Sequence, residues 1–175
     1  MKRWARRWKS SARESRLKSI DNTAPSKKYL HLIKDLDRRQ ASLLFQLHSG
    51  HIALNHHLFQ IHRSETPSCP HCQGTIVETV KHFLLNCPQY AQQCHELCVK
   101  LCHNADSLSF LLSSPIAIRP LLKYVHATGR FKPFFGKDIE DRIFTNSRWN
   151  AELHAAAERF EDFLCGNNPH SHNRT

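Results

Sequence analysis

The sequence predicts an all-α domain with a zinc knuckle and a basic N-terminal arm. Three observations carry that expectation. Apolar residues recur at helical spacing through most of the chain, no stretch shows sustained β-alternation, and one segment sets three Cys and one His at metal-ligand spacing. At 175 residues the chain is long enough to bury a real core as one domain. With 40% apolar residues and only 5 Gly it is not a low-complexity or collagen-like chain. Its apolar runs are far too short for a transmembrane helix, and none follows the basic start as a secretory signal would require.

The elements follow in order. Residues 1–27 form a basic arm or linker, with Trp4 and Trp8 four apart and so on one side of a helix. Packing of these rings on a neighbouring domain is favoured over a base-stacking platform. Residues 28–135 form the helical domain. Thr23-Ala-Pro25-Ser26 opens a helix whose stripe runs through Tyr29, Leu32, Ile33, Leu36, Leu43, Leu44 and Leu47, with Lys34, Arg38 and Arg39 outside it. Ser49-Gly50 stops it. A short helix fits Leu54, Leu58 and Ile61 and ends before Pro67. Another spans about 89–103, Ser107 caps one through Leu108, Leu111 and Leu112, and Ile118, Leu121, Leu122 and Val125 carry the next to Gly129. Residues 136–166 make a C-terminal helical extension from about Trp149 to Leu164, and 167–175 a disordered polar tail.

Charge is divided unevenly along this plan. Residues 1–40 hold 13 Lys/Arg against 4 Asp/Glu, a balance of +9, whereas residues 41–175 hold 12 against 11, a balance of +1. Such an arm favours a polyanion, either nucleic acid or an acidic membrane surface. A nuclear localisation signal, a solvated tail and a mitochondrial transit peptide share its composition.

Seven Cys is an odd number, and without an export signal it argues for metal ligation over a disulfide framework. The strongest constellation is Cys69-Pro-His-Cys72, nine residues, His82, four residues, Cys87. Two Cys separated by two residues wrap a tight turn that aims both sulfurs at one ion, and Pro67 and Pro70 stiffen it. Thr75-x-x-Glu78 matches a capping box, so a helix is expected to start there, carry His82 on its second turn and end just before Cys87 and Pro88. Cys69, Cys72, His82 and Cys87 would hold one structural Zn2+ with no open position, so the site is expected to be non-catalytic.

Other clusters point to packing. Cys94, Cys98 and Cys102 stand four apart beside Leu97 and Leu101 and read as a core stripe rather than as ligands with His95 or His103. His48, His51, His56, His57, His62 and His71 read as surface or capping residues rather than a second metal site. No Gly-rich phosphate loop, nucleophile elbow or acidic set for two-metal chemistry is present, so no enzyme activity is expected.

The stretch from Arg38 to Cys87, with Gln46-Leu47-x-Ser49-Gly50-His51, Cys69-x2-Cys72, Glu78-Thr79 and His82-x-Leu84-x2-Cys87, resembles the C-terminal zinc-binding domain of non-LTR (LINE-type) retrotransposon reverse transcriptase polyproteins, fungal ones especially. The resemblance covers roughly residues 1–135. It implies that the four Cys/His residues are zinc ligands and that the domain stands detached from polymerase and RNase H domains, so catalysis is not inherited. Arg3, Arg6, Arg7, Lys9, Arg38 and Arg39 are then the expected contacts to RNA or DNA, with little sequence preference. A reverse transcriptase/RNase H polyprotein is a candidate partner, a membrane is not, and a nuclear or cytoplasmic location is expected. A protein-interaction scaffold and a functionless transposon relic are the alternative readings.

Overall fold

A computed structural model describes residues 6, 10, 15–21 and 27–132. The chain divides into two compact units, residues 1–137 and 138–175, and the description concerns the first. The helix expected around Trp149, the polar tail, Trp4, Trp8, Arg3, Arg7, Lys9 and the Thr23–Ser26 start lie outside the described residues.

The described chain is helical, as the periodicity predicts: α1 (Ser15–Ile20), α2 (Lys28–Ile33), α3 (Arg38–Ser49), α4 (Asn55–Gln60), α5 (Ala91–Leu101), α6 (Leu108–Ser113) and α7 (Pro115–Ala127). Among the described residues β-pairing is confined to a single antiparallel bridge, Ser68 with Val77. No helix among them is long and apolar enough to cross a membrane.

The long stripe from Tyr29 to Leu47 is two helices, not one. Asp37 breaks it, because its carboxylate accepts from the backbone N–H groups of Arg39 (2.7 Å) and Gln40 (2.8 Å). Gln40 Oε1 accepts in return from Asp37 N–H at 3.2 Å, completing a capping box. Gly50 ends α3 in the left-handed region at φ 78°, as Ser49-Gly50 predicts. A Cβ there would lie 2.6 Å from Arg16 Nε. That close approach has a purpose: Arg16 donates to the carbonyls of His48 and Leu47, both at 3.2 Å, satisfying the open end of α3.

Arg16 belongs to the segment expected to be an arm. Residues 15–20 are instead a helix of the folded unit, with Ile20 buried and its carbonyl accepting from Ser109 Oγ. The core sits between α3, α5, α6 and α7, where Leu43, Leu44, Leu47, Leu97, Leu111, Leu112, Leu121 and Leu122 are buried. Ser107 caps α6 through Phe110 N–H, and Pro115 opens α7 at a position where its missing N–H costs nothing.

Candidate metal centre

The segment between α4 and α5 carries the site. Residues 67–78 double back on themselves: Cys69 N–H donates to Ile76 C=O at 2.7 Å and Glu78 N–H to Pro67 C=O at 2.9 Å. Within the turn, Cys72 N–H donates to Cys69 C=O at 3.3 Å and Thr75 N–H to Cys72 C=O at 3.1 Å. The reversal needs positive φ at Gln73 (51°) and Gly74 (74°), the second of which only glycine adopts freely.

The expected capping box at Thr75 and Glu78 does not form. Helix starts after Thr79, whose hydroxyl accepts from His82 N–H at 3.1 Å. Thr75 Oγ1 donates to Cys72 C=O at 2.8 Å instead, inside the turn. His82 therefore sits on the first turn rather than the second. From His82 to Asn86 the coil widens into a π turn. Such widened turns occur often at functional sites, and here one lets three consecutive residues, His82, Phe83 and Leu84, all be buried. Cys87 follows in extended conformation (φ −76°, ψ 118°), as a residue before proline prefers, just past the helix as the sequence predicts.

This path brings Cys69, Cys72, His82 and Cys87 together, with one ligand atom from each lying within 4.8 Å of all the others. Cys69 Sγ lies 3.8 Å from Cys87 Sγ, and Cys72 Sγ lies 3.4 Å from His82 Nε2. Cys69, His82 and Cys87 are buried, and Cys72 alone among the four reaches solvent in part. Three thiols and an imidazole closed on themselves could hold one metal ion and leave no position for a substrate.

Burial shapes the electrostatics of the cluster. Burial pushes the Cys87 thiol up to about 12, with Cys69 and Cys72 adding to the rise. Burial also raises Cys72 and lowers His82, whose fall Glu78 opposes. The upward shifts of Cys72 and Cys87 favour their thiol forms, so binding a metal there would release protons.

Glu78 is the residue that sequence reasoning misplaced. It is buried at 1% exposure and takes a bidentate fork from Arg130, Nε to Oε1 and Nη2 to Oε2, both at 2.9 Å. Its Oε2 also accepts from Asn55 N–H at 2.6 Å, and Asn55 Nδ2 donates to Ser68 C=O at 2.7 Å. Sequence offers no signal for this pairing, because its partners stand 23 and 52 residues away. Phe83, the residue after His82, anchors a buried aromatic cluster. Phe83 packs edge-on against Tyr90 (5.3 Å), Tyr124 (5.8 Å) and Phe131 (5.3 Å), and Tyr124 Oη donates to Phe83 C=O at 2.7 Å.

Other expected residues fall elsewhere. Arg6, Arg38 and Arg39 are exposed, the last two on the first turn of α3. Cys94 and Cys98 are half-buried and Cys102 is exposed, so the core stripe of α5 is Leu97 and Leu101. No second group of three or more metal-binding side chains exists among the described residues. The His51 and His57 rings lie tilted at 5.0 Å, His71 lies edge-on to Tyr90 at 5.7 Å, and His48 is buried with Nε2 on Leu112 C=O. His48 is thus a core residue rather than a surface one. Compared with known proteins, the chain matches no family model, no curated protein and no solved structure.

Proposed function

We propose that this chain is a retrotransposon-derived zinc-binding domain of the reverse transcriptase type, which holds one structural Zn2+ and binds RNA or DNA through a basic surface without catalysing a reaction. The closed Cys3His cluster carries the reading. In a tetrahedron of zinc with its usual bond lengths, neighbouring sulfurs lie ~3.8 Å apart and sulfur and nitrogen ~3.5 Å apart. The observed 3.8 and 3.4 Å separations match those edges. Zinc is the borderline-soft ion that thiolate and imidazole select together, and four protein ligands leave it structural.

The nucleic-acid part rests on charge. The +9 balance of residues 1–40 against +1 for the remainder concentrates cations at one end of the chain, and Arg6, Arg38 and Arg39 are exposed there. Lysine and arginine contacts to phosphate release counterions, which makes the binding salt-dependent and indifferent to sequence. A protein-interaction scaffold is the second reading, favoured by the exposed Phe45, Phe59, Ile61, Ile76 and Val77.

Fluorescence anisotropy of labelled single- and double-stranded oligonucleotides, across a salt series with the zinc-loaded full chain, tests the proposal. Cutting at residue 41 would remove Ile20 from the core, so charge-neutralised full-length variants are the right comparison. R3Q/R6Q/R7Q/K9Q and R38Q/R39Q should each flatten the log–log salt slope, by about 0.7–0.9 for each phosphate no longer neutralised. Absence of binding at low salt would reject the nucleic-acid reading and leave the scaffold or the relic.

A further inference from the structure

We infer that Glu78, Arg130 and Asn55 are positioning residues of the metal centre: they fix both arms of the ligand turn, and their integrity sets metal affinity. The inference rests on the metal reading of the cluster and concerns residues outside the ligand set.

Three observations carry it. First, Asn55 joins both arms. Its side chain holds Ser68 C=O, one residue before Cys69, and its backbone N–H holds Glu78, four residues before His82. The ends of the turn are thereby tied to one residue at the start of α4. Second, the Arg130 fork fixes the plane of the Glu78 carboxylate, which a single hydrogen bond would leave free to rotate. A buried ion pair adds little net stability compared with apolar side chains of the same shape, so its geometry rather than its energy accounts for its place here.

Third, a metal-ligating histidine ordinarily has its ring oriented by a hydrogen bond from the other nitrogen. His82 Nδ1 is buried and has no hydrogen-bond partner among the described residues. Its Nε2 faces Cys72 Sγ instead. What is fixed at His82 is its backbone: its N–H is held by the Thr79 hydroxyl, directly after Glu78 in the chain, so the clamp sets where the ligand helix begins.

With the ends of the turn held close, the metal has to order only the residues between them, which lowers the entropy cost of capture. Coupling of this kind is reciprocal: a variant that loosens the clamp weakens the metal.

The experiment is competition for zinc, and Co(II) absorption, on the full-length chain at a temperature where circular dichroism shows every variant folded. Glu78→Gln keeps the shape and removes the charge. Arg130→Lys keeps the charge and removes the fork. Leu43→Ala, a core truncation on α3 outside the clamp, reports the effect of lowered stability alone. We expect both clamp variants to bind zinc about 10- to 100-fold more weakly. Their saturated Co(II) spectra should match wild type, because the ligands are unchanged, and Leu43→Ala should keep wild-type affinity. Clamp variants within about twofold of wild type, or an equal loss in Leu43→Ala, would overturn the inference. A wild-type chain without a tetrahedral thiolate–Co(II) band would overturn the metal reading itself, and this inference with it.

Discussion

Stripping the metal should melt the turn at residues 69–77 while the helical core stays folded. Of residues 70–77 none is buried, and Cys72 alone is half-buried. Ile76 and Val77, the apolar residues that could have anchored the turn, are 46% and 41% exposed. Fixing nine backbone positions costs ~9–18 kcal/mol at about 1–2 each. The four backbone hydrogen bonds of the turn return ~4 kcal/mol at about 1 each. A structural zinc yields ~10–16 kcal/mol in small peptides with the ordering of the chain already included, enough to hold such a turn. Without the metal the turn falls short by ~5 kcal/mol or more, enough to abolish its protection.

Hydrogen exchange read by mass spectrometry, on zinc-loaded and chelated full-length chain, resolves this peptide by peptide. Amides of residues 69–77 should exchange at unstructured rates after chelation. Amides around Leu111, Leu121 and Leu122, which are fully buried, should keep their protection. If elemental analysis shows the metal gone and the turn remains protected, the reasoning is refuted, because some unrecognised interaction then orders it.

Two further outcomes follow from particular residues. Alanine at Cys69, Cys72, His82 or Cys87 should abolish stoichiometric zinc binding, whereas C94A/C98A should still bind one ion per chain; a loss in the latter would place ligands on α5. His48 supplies a pH test. Burial, the largest cause, lowers its pKa, Arg16 lowers it further, and the Leu112 carbonyl and Asp21 oppose the fall. The unfolded chain therefore binds more protons near pH 6 than the folded one. The stability tied to His48 is full above about pH 6.5 and is lost as pH falls through the lower folded value. Denaturant midpoints between pH 7.5 and 5 should fall less steeply for His48→Gln, which keeps a donor for Leu112. Equal slopes in the two proteins would show that His48 is not the group titrating.

Periodicity and spacing alone determined the helical class and the four Cys/His residues that the fold brings together. The 3.6-residue recurrence of Leu along α3, α5 and α7 survives any arrangement of those helices, since each must bury its apolar face. That cluster was legible because three of its four residues lie within 14 residues on one local turn and its following helix, and metal-site chemistry restricts the residue types. Local competition was harder to read. Asp37 interrupts an otherwise continuous helix by capping α3, and Thr79 displaces Thr75 as the start of the ligand helix, choices set by which side-chain oxygen can reach a free N–H.

What only the tertiary structure decided lies across long separations. Whether Glu78 caps a helix or becomes a buried anion depends on Arg130 arriving from beyond α7. Whether Arg16 belongs to a solvated arm or closes the end of α3 depends on α1 docking beside it. Whether His48 is a surface residue or a core one depends on Leu112. In each case the same charged or polar side chain has two acceptable local environments, and the pairing that removes it from water is available only once distant helices have packed.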